Sequence, residues 1–137
     1  MTAHENPLGL DGFEFVESTS PDPEALAGLF TAMGFTHLGN HKSKNVRHYG
    51  QGDVNFLLNM DEGGHARSFQ SAHGPSASAM AFRVKGGAKA LAMAVERGAT
   101  KVDGEYGLAA IEGIGGSYLY LVGRYGAQPI YGSLFRP

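Results

Sequence analysis

The chain is predicted to be an α+β domain: two βαβββ units that join into an eight-stranded half-open barrel with the helices outside. Three observations predict it. Short segments of alternating apolar and polar residues recur along the chain, two helix-like stretches each stop at a glycine, and these features return at one fixed distance. Gly34 and Gly98 stand 64 positions apart, as do Val54 and Tyr118, which is the mark of an internal duplication. A single unit would leave one apolar sheet face in water, so two must pair edge to edge to enclose a core.

Each element has its own warrant. Phe13-Glu-Phe-Val-Glu17 alternates as a half-buried strand does. Asp22-Pro23-Glu24 then offers an N-cap, a proline in the first helical turn and an acidic start. Leu26, Leu29, Phe30 and Met33 recur at helical spacing, and Gly34 ends the helix. Strands are predicted at Thr36–Asn40, Val46–Gly50 and Val54–Asn59, with polar turns at Lys42–Asn45 and Gln51–Asp53. Met60 to Ser76 is polar and reads as a long connection anchored by Phe69, with room for one helical turn.

The second unit repeats the plan. Ala79–Val84 is an apolar strand, and Ala88–Arg97 is an alanine-rich helix with Leu91 and Val95 on one face. Strands follow near Thr100–Asp103, Ala109–Glu112 and Tyr118–Gly123. The units thus cover about 11–60 and 77–124 of a single domain, 1–137, and leave a tail at 125–137. Ile130, Tyr131, Leu134 and Phe135 make that tail apolar, so it is expected to dock on the domain or on a further domain.

Composition excludes several functions. A net charge of -2 and a pI near 6.3 provide no field to attract nucleic acid or an anionic membrane. The absence of cysteine removes disulfides and thiolate metal sites, and fits a reducing compartment. Neither a signal peptide nor a membrane span is visible, so a cytoplasmic protein is expected.

Few residues suggest chemistry. His37, His41 and His48 lie on the first set of strands and turns, with His65 and His73 in the long connection. Convergence of three would make a metal site, but the spacing matches no ligand motif, and surface histidines are expected. Gly113-Ile-Gly-Gly116 lacks the lysine and helix of a phosphate loop and leads into a strand, so it is read as a turn. His41-Lys-Ser-Lys-Asn-Val-Arg-His48 is the one basic run, a solvated hairpin or an interface. No nucleophilic triad is apparent.

Asn6-Pro-Leu-Gly-Leu-Asp-Gly-Phe-Glu-Phe-Val-Glu17, Ser43-Lys-Asn-Val46, Met80-Ala-Phe-Arg-Val-Lys85 and Gly113-Ile-Gly-Gly-Ser-Tyr-Leu-Tyr-Leu-Val-Gly-Arg124 carry a resemblance over nearly the whole length. Together they resemble the N-terminal domain of bacterial 4-hydroxyphenylpyruvate dioxygenase, a member of the vicinal-oxygen-chelate (glyoxalase–bleomycin-resistance) superfamily. The resemblance implies a half-open barrel, a homo-oligomeric enzyme of tyrosine breakdown, and ferrous iron held by two histidines and a glutamate in the other, C-terminal half. Aligned by the repeat, the superfamily's ligand positions fall at Gly12, Phe56, Ala79 and Tyr120, none a useful iron donor. A slip of one or two residues brings in only Glu14 or Asn55. No catalytic, cofactor-binding or metal-binding residue is therefore expected in this chain. Phe13, Phe15, Phe56, Phe82, Tyr118 and Tyr120 are expected to face inward and fill the cup. The alternatives are a stand-alone member of the fold that binds a small aromatic or hydrophobic ligand as a dimer, and an active single-domain metalloenzyme, against which the empty ligand positions argue.

Overall fold

A computed structural model describes residues 5–125 and 129–137. Leu10–Thr19 (β1), Pro23–Ala32 (α1), Thr36–His41 (β2), Val46–Gln51 (β3) and Val54–Asn59 (β4) form the first unit. Gly64–His73 (α2) connects it to Ser76–Val84 (β5), Gly87–Glu96 (α3), Lys101–Val102 (β6), Ala109–Glu112 (β7) and Tyr118–Val122 (β8). Ile130–Leu134 (α4) and Phe135–Arg136 (β9) close the chain. One mixed sheet runs in the order β6-β7-β8-β5-β1-β4-β3-β2-β9. Antiparallel pairing of β1 with β5 joins the units edge to edge, while β1–β4 and β5–β8 are parallel.

The two helices read from the sequence start differently and end alike: α3 has Gly86 at its N-cap with no side-chain cap, unlike α1. Asp22 Oδ1 accepts from the Ala25 amide at 3.2 Å, and Pro23 opens α1 without wasting a donor. Gly34 takes φ +97 and Gly98 φ +107, so the following amides turn back, Phe35 to the Phe30 carbonyl and Ala99 to that of Ala94. Both helices pack on the outer face. Phe30 and Ala27 of α1 meet Phe35, Tyr49 and Leu58, while Ala90 of α3 meets Val84 and Leu121.

The structure differs from the expected architecture in three places. The long connection contains a ten-residue helix, α2, in place of a single turn. The tail supplies a short helix and a ninth strand, β9, which pairs with β2 through Asn40–Arg136 and His41–Phe135. These two additional helices lie on the inner side of the sheet, not outside. His65 of α2 stacks on Tyr118 at 3.4 Å between ring centroids and Gln70 accepts from Thr19 at 2.7 Å, while Ile130 and Phe135 are buried against Phe15, Val46 and Leu57. The tail thus docks on its own domain; Ala127 and Gln128 lie outside the described residues.

Candidate functional site: the concave face

Register assigns the faces. Phe15, Glu17, Leu57, Ala79, Ala81, Tyr120 and Val122 are all buried and point into the cup, with Tyr106 delivered from the loop between β6 and β7. Of the aromatic residues expected there, Phe15, Tyr118 and Tyr120 are present. The other three are corrections: Phe56 stacks on Phe35 in the α1 cluster, and Phe13, 57% exposed, packs on Phe82 across the outer face. Two causes act. In β1 the pairing advances from Leu10–Val84 to Phe13–Phe82 and on to Phe15–Ala81, so β1 twice carries an extra residue and simple alternation fails.

The second cause is a one-residue slip between the units. The β1–β5 pairs Glu17–Ala79 and Phe15–Ala81 exchange under the internal pseudo-two-fold, so Glu17 corresponds to Ala81. Their parallel partners, Leu57 and Tyr120, must then correspond too, at a spacing of 63 instead of 64. A one-residue slip turns every side chain of a strand to the opposite face. Of the four aligned positions, Ala79 and Tyr120 lie in the cup, Phe56 lies on the outer face, and Gly12 is an exposed left-handed position at φ +96.

The interior is filled, and it is not purely apolar. Glu17, 1% exposed, accepts from the hydroxyls of Ser78 and Tyr106 and from Asn59 Nδ2 at 3.2 Å. A bulge makes this possible, because pairing jumps from Glu17–Ala79 to Ser18–Ala77 and leaves Ser78 free to turn toward the carboxyl group. Burial and the nearby Glu17 raise the Tyr106 and Tyr120 phenols well above their ordinary range, so both stay protonated at neutral pH, Tyr106 donating to Glu17 and Tyr120 accepting from the Glu105 amide.

Nearer the tail lies a second polar group. Glu14 accepts from Arg83 Nη2 at 3.2 Å and from Tyr131 Oη at 3.1 Å, and Arg83 also grips Asp53. Asn55 Nδ2 donates to the Glu14 carbonyl at 3.2 Å, and its Oδ1 is 2.8 Å from His48 Nε2. Tyr131 of α4 stacks flat on the His48 ring at 4.0 Å. Sequence reasoning raised Glu14 and Asn55 only as slipped ligand positions, and the structure brings them together as part of the contact that seats the tail.

Burial lowers the His48 pKa, and the hydrogen bond with Asn55 and, after it, the Glu14 carboxyl group only partly oppose it. The folded chain therefore takes up a proton at His48 less readily than the unfolded one. Stability from this residue is complete above the unfolded value near 6.5 and is lost as pH falls through the folded value. Melting temperature is expected to fall between pH 7 and pH 5, and His48→Gln is expected to flatten that slope. An unchanged slope in the variant would assign it to other groups.

The five histidines among the described residues do not gather. His37 stacks on Tyr49, the His41 Nδ1 accepts from the amides of Ser43 and Lys44, and His48 belongs to the tail contact. His65 Nε2 lies 2.6 Å from the Gly116 carbonyl and His73 Nε2 3.1 Å from that of Gly115, so α2 braces the Gly113–Gly116 turn. That turn has Gly115 at φ +67 and Gly116 at φ +85 and leads into β8, as expected. In the basic run Lys44 pairs with Glu105 at 2.7 Å and Arg47 with Glu24. Among the described residues no three histidine, aspartate or glutamate side chains stand close enough to share a metal ion. The donor set of the inner face does not fit ferrous iron: among the described residues Glu17 already accepts three hydrogen bonds, Glu14 is held by Arg83 and Tyr131 and His48 by Asn55, and no three such donors converge.

The family model for the N-terminal domain of hydroxyphenylpyruvate dioxygenase matches residues 4–136. The chain is 51% identical over 134 residues to 4-hydroxyphenylpyruvate dioxygenase of Pseudomonas aeruginosa, covering 92% of this chain and 38% of that protein. It is 47% identical to hemolysin VllY of Vibrio vulnificus, covering 96% of this chain and 39% of that one. Among solved structures, a xylose isomerase-like TIM barrel/4-hydroxyphenylpyruvate dioxygenase fusion protein superposes with a TM-score of 0.85 at 32% identity, over 96% of this chain and 22% of the fusion. The chain thus spans well under half the length of each of these relatives.

Proposed function

Since this chain belongs to the family of hydroxyphenylpyruvate dioxygenase N-terminal domains, we propose that it serves as the metal-free half of such an enzyme. It supports an iron-bearing C-terminal half and contributes contacts between subunits of a homo-oligomer. The observation that carries this reading is the match to the family model across residues 4–136. The complete enzyme converts 4-hydroxyphenylpyruvate and oxygen to homogentisate and carbon dioxide in the cytoplasm. Ferrous iron supplies the oxygen chemistry from a site in the C-terminal half, built of two histidines and a carboxylate. In this reading the described residues furnish no catalytic, cofactor or metal group. Among the described residues no helix is long and apolar enough to cross a membrane.

Two features support a scaffolding role over the alternative of a ligand-binding protein. The cup is occupied by the chain's own side chains, with Tyr120 and Ala81 at 0% exposure and Ile130 of the tail at 1%. A protein that stores a ligand there would have to leave that space open. The outer face, by contrast, carries an apolar groove of about 410 Å³ lined by Phe13, Val16, Val54, Phe56 and Met80. Apolar surface of that kind suits contact with another domain or subunit.

The test is a chimera. Replacing the matching segment of the Pseudomonas aeruginosa dioxygenase with this chain is expected to yield homogentisate at a rate comparable to that of the intact relative. The isolated chain, given ferrous iron, oxygen and 4-hydroxyphenylpyruvate, is expected to yield none and to show no one-to-one iron binding in anaerobic calorimetry. Turnover or tight iron binding by the isolated chain would overturn the reading.

A further inference from the structure

Among the described residues, the outer face of the sheet is uncovered along the seam where the two units meet. α1 packs on β3 and β4 through Phe30, Tyr49 and Leu58, and α3 packs on β5 and β8 through Ala90, Val84 and Leu121. Between them the pair Val16–Met80 sits on the internal pseudo-two-fold, flanked by the exchanged pairs Phe15–Ala81 and Glu17–Ala79. The groove of about 410 Å³ opens here, with Phe13 57% and Val54 51% exposed at its rim. The charged residues in its lining, Glu14 and Asp53, are both held by Arg83.

α1 adds a ridge beside the groove. From Ala25 to its C-cap Met33 it carries no charged residue, although Leu29 is 53% and Met33 48% exposed and Ala25, Gly28 and Ala32 are open too. A helix that is apolar on its open side as well as its buried one is one that an assembly covers. Glu24 pairs with Arg47 of β3. Leu29 and Met33 lie about 140° and 180° round the helix from Glu24, so they occupy the flank toward the seam. At the end of α1, Gly34 stands against the Gln51 side chain, on the β3–β4 turn that leads to Val54. The ridge therefore runs down to the rim of the groove.

A ridge next to a groove on one face is the form a two-fold pair requires, because the same patch must complement itself. The size agrees. Phe13, Leu29, Met33 and Val54 are each about half exposed, and at roughly 200 Å² for a large side chain they present on the order of 400 Å² of apolar surface. A homodimer interface takes about 800 Å² from each partner, about 65% of it apolar, and the half-buried walls Val16, Phe56 and Met80 supply the remainder. We propose that two copies of this chain pair about a two-fold axis over the outer face, the Leu29–Met33 ridge of each seated in the groove of the other. This pairing rests on the scaffold reading for its purpose and on the chain's own surface for its existence. The chimera can turn over whether or not isolated copies pair, so either can fail alone.

Sedimentation velocity of this chain is expected to show a dimer with a dissociation constant in the micromolar range. Phe13→Glu in the groove and Leu29→Glu on the ridge are each expected to weaken it by at least about thirtyfold, as loss of a central interface residue does. Ile114→Glu, at a residue 94% exposed on the turn before β8, is expected to leave it unchanged. All three positions are open to solvent, so each variant should keep the native circular dichroism and melt. Should Phe13→Glu fold poorly, because the native ring packs on Phe82, Val54→Glu takes its place. A native chain that stays monomeric up to about 100 µM would overturn the proposal and leave the groove to the C-terminal half. A dimer that survives either groove or ridge variant, or that Ile114→Glu breaks, would place the contact elsewhere and overturn it as well.

Discussion

Ending the chain at Arg124 is expected to abolish cooperative unfolding. Ile130, 1% exposed, and Phe135, 5% exposed, would be removed from the same cluster that contains Phe15, Val46, Leu57 and Tyr120. Truncating a buried isoleucine or phenylalanine to alanine costs about 2–5 kcal/mol each, and here both leave together. The shortened chain also gives up the Lys42 amide bond to the Leu134 carbonyl and the Tyr131 hydroxyl bond to Glu14. Their combined loss approaches the whole stability of an ordinary domain, about 5–15 kcal/mol. Near-ultraviolet circular dichroism should flatten while far-ultraviolet signal persists, and the exposed cup should bind an apolar dye. A sharp melt within a few degrees of the native one would mean that the tail rests on the cup without sealing it.

How the tail is used was legible only in part. Its apolar residues announced that it would be covered, and the matching glycine stops announced the duplication. What could not be read was side-chain direction. The expectation that Phe56 faces the cup fails because the units differ by one residue between β1–β4 and β5–β8, and a strand translates a one-residue error into the wrong face. Phe13 fails for a related reason, since β1 carries bulges that no hydropathy pattern reports. Helix α2 was read as no more than one turn because its stacked face is His65, Phe69 and His73, with rings 5.9 and 4.4 Å apart, in place of the aliphatic stripe that marks an amphipathic helix.

The candidate site shows the same division. That the aligned positions lack iron donors could be argued from residue types alone. That Glu17 sits at the bottom of the cup could not, because in sequence it is simply the polar end of an alternating strand. Only the bulge at Ser78, the left-handed turn at Tyr106 and the register of Asn59 bring three donors to it, from positions 61, 89 and 42 residues away. Such networks are long-range by construction, and a carboxyl group on a strand carries no local signal of its partners.

Glu17→Ala is therefore expected to be among the most damaging single substitutions. It leaves the Ser78 and Tyr106 hydroxyls and Asn59 Nδ2 facing a void, and an unsatisfied buried donor costs about 1–3 kcal/mol. The hydroxyls can rotate toward other acceptors, so a total of about 3–5 kcal/mol is expected, including the cavity. Glu17→Gln retains one oxygen but turns an amide donor toward donors, and is expected to cost about 1–2 kcal/mol. Tyr106→Phe removes one of the three donors, so in the Glu17→Ala background its effect should shrink. That pair forms a double-mutant cycle whose coupling reports the Glu17–Tyr106 bond directly. Denaturant unfolding of the four proteins provides the measurement. If Glu17→Ala costs under about 1 kcal/mol, water reaches the cup, and the carboxyl group is solvated instead of held by its three neighbours. A large cost with no coupling would assign the stability to Ser78 and Asn59 and leave Tyr106 as packing alone.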